Sequence, residues 1–404
     1  MSSYHPLTEA EAIEIAKSVP GVFNADAKLV SREIGDGNLN LVFHVSDPAT
    51  NASLILKQAL PYAKVVGESW PLTLDRARIE SEALILQEKL APGLVPKVYV
   101  NDNVLALTVM EDLSDHVIMR RGLIEGGTYP KFAEDISDFL ARTLFFTSDL
   151  GLNQQEKKGL VRSFVNPELC KITEDLIFDD PYTNSPNNSF DDHLKEDAQA
   201  LWDDSDLHFE VALLREKFLT HAQALLHGDL HTGSIFITPE STKVIDPEFA
   251  FYGPIGFDIG AIFANLLMHY AAQEHWTPDE ATRRDRRAYL TNTIRDIWAG
   301  FDRKFRELWN ENGVDRISRT PGYQDDYMNR LLKDAFGFAG AKIVRRIVGL
   351  SHVADIDKIP DAAVRAKAQR LSLAIGTSLI KRNRNAASIE ELIGIAESAV
   401  AASK

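Results

Sequence analysis

Cysteine is almost absent: Cys170 is the single thiol in 404 residues. No intrachain disulfide can form, which excludes a disulfide-stapled secreted fold and points to a reducing compartment. The thiol sits in "PELCKITEDL", which reads as a helix, so it is expected to fill space rather than act as a nucleophile. No stretch approaches 18 uncharged apolar residues, so no transmembrane helix is expected. The start, "MSSYHPLTEAEAIEIAKSVPG", lacks a cationic segment followed by an apolar run, and the expected place is the cytoplasm. A basic excess is also missing. With 44 Lys and Arg against 59 Asp and Glu, the net charge is −15. That excludes the electrostatic footprint of a nucleic-acid binder and fits a small neutral or cationic substrate better than an anionic polymer. Neither G-x-x-x-x-G-K-[ST] nor G-x-G-x-x-G occurs, which weighs against P-loop and dinucleotide-binding folds. There is no internal repeat.

What is present divides into two parts. "LTEAEAIEIAKSV" carries Thr8 with Glu11 three residues on, a capping box for a short leading helix. "KLVSREIG", "LNLVFHVSD" and "ASLILKQAL" are short apolar runs between turn residues, as in an antiparallel meander. "TLDRARIESEALILQEKLAPG" has helical periodicity and stops at Pro92-Gly93. "VPKVYVND" and "VLALTVMEDL" follow as strands. After Leu113 the pattern is helical, interrupted by strand-like pieces within 224–254. Residues 179–205 are polar, with Pro and Asn, and read as a surface loop or insertion. The expected fold class is α+β and two-lobed. Residues 1–112 form a small antiparallel β lobe with one helix and the leading helix. Residues 113–404 form a large helical lobe carrying the 224–254 β-ribbon. The cleft between lobes is the default site.

Several residues stand out for their chemistry. Gly35 and Gly37, with Asn38 and Asn40, lie in a turn between strands where backbone N–H groups can cradle phosphate, although a hairpin turn without a ligand looks the same. Lys57 closes an apolar run on the next strand and suits a phosphate-binding cation. It calls for an acid on the following helix, Glu80 or Glu82, with Glu82 preferred; a surface lysine is the plain alternative. "HGDLH" has histidines at i and i+4, but Gly228 and strand-like flanks argue against a helical zinc site. A kinase-type loop fits better. Asp229 would orient a hydroxyl, and Asp246 with Glu248 after the next strand would offer oxygen ligands suited to Mg²⁺. His227 and His231 then become loop scaffolding. Arg345 and Arg346 sit in an otherwise apolar helix, where buried guanidinium groups require acids or phosphates. Trp70 in "GESWPL" either lines a substrate pocket or anchors a loop. Asp258 caps a helix or braces the catalytic loop.

The ordered set of Gly-turn, strand lysine, helix acid, hinge, catalytic Asp and metal Asp resembles the protein-kinase-like fold in its aminoglycoside-phosphotransferase and choline-kinase branch. "HGDLHTGSI" resembles that branch's H-G-D-x-H-x-x-N loop. "DGNLNLVF", "KQALPYAKVVGESWPLTLDRARIESEAL", "HGDLHTGS" and "DPEFAFYGPIGFDIG" resemble the 5-methylthioribose kinase family of methionine salvage, over residues 25–380. The resemblance implies ATP-dependent phosphorylation of the 1-hydroxyl of 5-methylthioribose, giving the 1-phosphate and ADP. The alternative is another small alcohol, such as choline, homoserine or an aminoglycoside. It implies Asp229 as the base facing the sugar and Asp246 and Glu248 as Mg²⁺ ligands. Lys57 would meet the ATP phosphates, and Gly35, Asp36, Gly37, Asn38 and Asn40 would cover ATP. Glu111 and Leu113 would offer hinge contacts to adenine, and Arg345 and Arg346 would reach the sugar or the phosphoryl group. Ser234 stands where the wider fold has its metal-binding Asn, as it does in this family, and is carried over as a third, poorer Mg²⁺ ligand for which Glu248 would compensate, which leaves one or two Mg²⁺ ions open. A homodimer is implied by the resemblance alone.

Overall fold

A computed structural model describes residues 3–34, 39–64 and 67–403. The chain divides into two compact units, Met1–His116 with Lys243–Ala250, and Val117–Thr242 with Phe251–Lys404.

The first unit contains helix α1 (Glu9–Lys17), strands β1 (Val30–Glu33), β2 (Asn40–Ser46), β3 (Ser53–Ala59), β4 (Tyr62–Ala63) and β5 (Gly67–Pro71), helix α2 (Asp75–Leu90), and strands β6 (Val98–Asp102) and β7 (Leu107–Glu111). The expected capping box is present: the Thr8 side chain accepts from Glu11 N while Glu11 reaches back to Thr8 N. Five strands form an antiparallel sheet in the order β1-β2-β3-β7-β6. The strand period of two sorts β3 onto two faces. Leu54 and Leu56 join Leu7, Ala12, Ala16, Phe43, Val45 and Val109 in a core that buries α1. Lys57, between Leu56 and Gln58, therefore faces the other way, toward α2. Its cross-strand partner Thr108 is hydrogen-bonded to Ser81 of that helix.

The second unit opens with β8 (Val117–Ile118), α3 (Met119–Ile124), α4 (Phe132–Phe146), α5 (Gln154–Ser163), α6 (Pro167–Phe178), α7 (Lys195–Asp203) and α8 (Ser205–Thr220). Short strands β9 (Ala224–Leu226), β10 (Ile235–Ile237), β11 (Thr242–Val244) and β12 (Phe251–Gly253) follow, with β11 crossing the unit boundary. The unit ends with α9 (Gly256–Ala271), α10 (Gln273–Trp276), α11 (Glu280–Asn312), α12 (Tyr323–Ile347), α13 (Ala354–Asp357), α14 (Ala362–Arg382) and α15 (Ile389–Ala402). Every residue of α9 is buried. It packs closely on α12, where Gly260 lets the backbones approach: a Cβ there would lie 2.6 Å from Ala335 O.

Two expectations change. The 224–254 ribbon does not belong wholly to the helical part, because residues 243–250 join the sheet-containing unit, where Val244 N donates to Leu94 O at 2.8 Å. The polar stretch 179–205 is not merely a surface loop. It contains two 3₁₀ turns and α7, and buries Tyr182, Leu194, Ala198 and Leu201. Cys170 lies in α6 as expected, and burial raises its thiol to about 12, which leaves it inert at neutral pH. Among the described residues no helix is long and apolar enough to cross a membrane.

Candidate active site

In the sheet-containing unit, Lys57 Nζ lies 2.8 Å from Glu80 Oε1 and also pairs with the Asp246 carboxylate. The acid on α2 is thus Glu80 and not Glu82. Glu82 instead pairs with Arg78 at 2.9 Å on the more exposed side of the helix. The helical period explains the choice. Ala77, Glu80, Ser81, Leu84 and Gln87 form the buried stripe, while Ile85, three residues after Glu82, is 50% exposed. Asp246 adopts φ +70°, a left-handed conformation that Asp tolerates better than most side chains.

Glu248 is anchored more firmly. Arg76 Nε donates to its Oε2 at 3.1 Å and Asn40 Nδ2 donates to the same oxygen at 3.3 Å. Glu80, Asp246 and Glu248 offer carboxylate oxygens lying within 4.8 Å of one another. An all-oxygen, anionic donor set of this kind fits Mg²⁺. Burial disfavours the charge on Glu80 and Glu248. It lifts Glu80 to about 7 despite the opposing Lys57, and lifts Glu248 with help from Asp246. Burial also opposes the charge of Lys57, but Asp246, Glu80 and Glu248 outweigh it and hold the ammonium firmly protonated. A cation among these carboxylates relieves their mutual repulsion.

Glu111 ends β7, and its carboxylate accepts from Lys97 N at 3.1 Å and pairs with Lys243 at 3.4 Å. Leu113 is buried and its carbonyl accepts from His116 N. Gly35, Asp36, Gly37 and Asn38 lie outside the described residues. The backbone of Trp70 runs in β5.

In the helical unit, Asp229 stands on the loop between β9 and β10. Gly228 supplies a φ of +85° that a side chain would strain. Asp258, in the first turn of α9, accepts from His227 N at 2.6 Å and Gly228 N at 3.1 Å, so it braces this loop. His227 Nδ1 accepts from Asp229 N at 3.2 Å. Ser234 Oγ donates to Asp229 O at 3.1 Å and lies 3.0 Å from His231 Nδ1, so in this geometry its hydroxyl braces the loop.

Two cations and the His231 imidazole surround the Asp229 carboxylate. Lys342 Nζ lies 3.3 Å from Oδ1, Arg345 Nη2 3.8 Å from Oδ1, and His231 Nε2 3.4 Å from Oδ2. Burial works against the carboxylate, but His231, Lys342 and Arg345 prevail and hold Asp229 well below the usual range. Burial lowers His231 to about 4, leaving it neutral, and lowers Lys342 to about 8 against the pull of Asp229. Lys342 also sits 4.5 Å over the Phe257 ring. Arg345 Nε is a buried donor with no acceptor among the described residues, and Arg346 bonds Ser351 Oγ at 2.8 Å. Lys342 escaped the sequence reading, although it precedes Arg346 by one helical turn and so shares its face.

A loop carboxylate held ionised beside basic side chains in one unit, and in the other a strand lysine fixed by a helix glutamate with a carboxylate set suited to Mg²⁺, are features of kinase-type phosphotransferases. The chain matches the family described as "Phosphotransferase enzyme family" over residues 30–301. A methylthioribose kinase of Geobacillus sp. (strain WCH70) is 52% identical over 389 residues, covering 96% of this chain and 95% of that protein. The methylthioribose kinase of Geobacillus thermodenitrificans (strain NG80-2) is 54% identical over 379 residues, covering 94% and 93%. That of Bacillus pumilus (strain SAFR-032) is 46% identical over 399 residues, covering 99% and 98%. The chain belongs to the phosphotransferase enzyme family and, within it, to the methylthioribose kinases.

Proposed function

We propose that this protein phosphorylates the 1-hydroxyl of 5-methylthioribose with ATP, yielding 5-methylthioribose 1-phosphate and ADP in methionine salvage. The observation that carries the reading is Asp229, an ionised carboxylate on a braced loop, ringed by Lys342, Arg345 and His231. Such a group accepts a hydrogen bond from an alcohol and aims its oxygen at phosphorus. Because Asp229 is a weak base, it works chiefly by orientation, with the proton passing over as the new sugar-oxygen–phosphorus bond forms and the bond to the ADP oxygen breaks. The surrounding cations favour a neutral sugar becoming anionic over a cationic alcohol such as choline or an aminoglycoside.

On the nucleotide side, Lys57 neutralises phosphate oxygens and Glu80 holds it in place. Asp246 and Glu248 would hold Mg²⁺, which supplies charge neutralisation on the phosphates. Asn40, with Gly35, Asp36, Gly37 and Asn38, would cover ATP, and the Glu111 and Leu113 backbone would receive adenine. Arg345 and Arg346 receive the sugar or the phosphoryl group, and Trp70 lines the sugar. We assign Ser234 to the loop rather than to a second metal. A cytoplasmic homodimer completes the proposal.

The test is Asp229→Ala. Turnover should vanish while ATP binding, followed by calorimetry, survives. Turnover near that of the wild type would overturn the mechanism.

A further inference from the structure

Arg76 takes no part in the chemistry just described, yet it is completely buried and uses its whole hydrogen-bonding fork. Nη1 donates to Leu60 O and Thr73 O, each at 2.8 Å. Nη2 donates to Leu39 O at 3.0 Å and Asn40 Oδ1 at 2.9 Å. Nε donates to Glu248 Oε2 at 3.1 Å. Arg76 stands one helical turn before Glu80, so a single face of α2 sends one side chain to Lys57 and another to Glu248.

We infer that Arg76 is a positioning residue for metal binding: it locks the Glu248 carboxylate and ties it, through Asn40 and Leu39, to the start of β2. Two donors converge on one oxygen, Arg76 Nε and Asn40 Nδ2, and Asn40 is itself held by Arg76. The carboxylate therefore has a defined orientation before any cation arrives. Lysine cannot reproduce this, because its single nitrogen cannot span Glu248, Asn40 and three carbonyls. Groups that orient a metal ligand from behind commonly contribute about 10–100-fold in metal affinity. The inference rests on Glu248 being a metal ligand, as proposed above.

The test measures Mn²⁺ binding to the full chain with and without ADP by electron paramagnetic resonance, which requires no turnover. Wild type, Glu248→Ala, Arg76→Lys, Asn40→Leu and the double variant Arg76→Lys with Glu248→Ala are compared, with circular dichroism reporting the fold. Arg76→Lys is expected to weaken Mn²⁺ by about 10-fold or more. In the Glu248→Ala background the same change should add little, because Arg76 acts through Glu248. Asn40→Leu, which keeps Arg76 but removes one donor to Glu248 and one acceptor of Arg76, should weaken Mn²⁺ measured without ADP in the same direction by less, and it decides alone if Arg76→Lys does not fold. If Glu248→Ala leaves Mn²⁺ binding intact, the metal assignment itself fails. If Glu248→Ala weakens it but folded Arg76→Lys, or failing that Asn40→Leu, does not, the positioning role is refuted while the metal assignment stands.

Discussion

Replacing Glu80 by Gln and, separately, Glu82 by Gln separates two acids two residues apart on one helix. Glu80 Oε1 lies 2.8 Å from Lys57 Nζ and both are largely buried. Removing one member of a buried ion pair costs about 3–5 kcal/mol because it strands the other charge. Lys57 keeps Asp246 as a second partner, so the cost falls at or just below the bottom of that range. A loss of about 2–3 kcal/mol in transition-state stabilisation corresponds to about 30- to 150-fold in kcat/KM for ATP. Glu82 pairs at 2.9 Å with Arg78 on the more exposed side of the helix, four residues before it. Such pairs contribute about 0.3–0.5 kcal/mol, so Glu82→Gln should change kcat/KM less than about threefold. The assay is ADP formation coupled to NADH oxidation, with ATP varied at saturating sugar. A Glu82→Gln defect equal to or larger than that of Glu80→Gln would refute the assignment of the Lys57 partner.

Three further outcomes follow from the geometry. Asp258→Ala strands the buried N–H groups of His227 and Gly228 and should lower unfolding free energy by about 2–4 kcal/mol in urea titrations; a loss below about 1 kcal/mol would deny the brace. Lys342 is charged below about pH 8 and neutral above it, so the support it gives the Asp229 carboxylate disappears on the alkaline side. kcat/KM for the sugar should fall through a limb near pH 8, and this limb should be missing from the weaker, flatter profile of Lys342→Met. Gly340→Ala should destabilise by about 1–3 kcal/mol, because its Cβ would meet Gly376 O at 2.4 Å. Gly159→Ala in α5 meets nothing within 4 Å and should stabilise by about 0.5–1 kcal/mol, which thermal melts of the two variants can compare.

Much of this was legible in the chain. Short apolar runs fixed the meander, because strand pattern is a local property, but they leave open whether Lys57 faces solvent or α2. The ordered acids at 229, 246 and 248 carried the reaction class. What stayed hidden depends on which side of a helix is inward. The offset to the later "VPKV" strand favours Glu82, but Glu80 belongs to the buried stripe with Ala77 and Leu84, whereas Ile85, three residues after Glu82, is exposed. Arg76 and Lys342 look like ordinary solvated helix charges in sequence. Only tertiary packing shows that one spends every donor on buried acceptors and that the other faces Asp229. The ribbon at 224–254 was recognised as a chemical unit, but residues 243–250 join the sheet-containing unit, where Val244 N donates to Leu94 O, a contact between residues 150 apart that no local pattern encodes.

The central claim is tested most directly by measuring kcat/KM for ADP formation with 5-methylthioribose, choline, homoserine and an aminoglycoside under one set of conditions. The account predicts that 5-methylthioribose leads the others by orders of magnitude. It would be contradicted if any of the other alcohols matched or exceeded it.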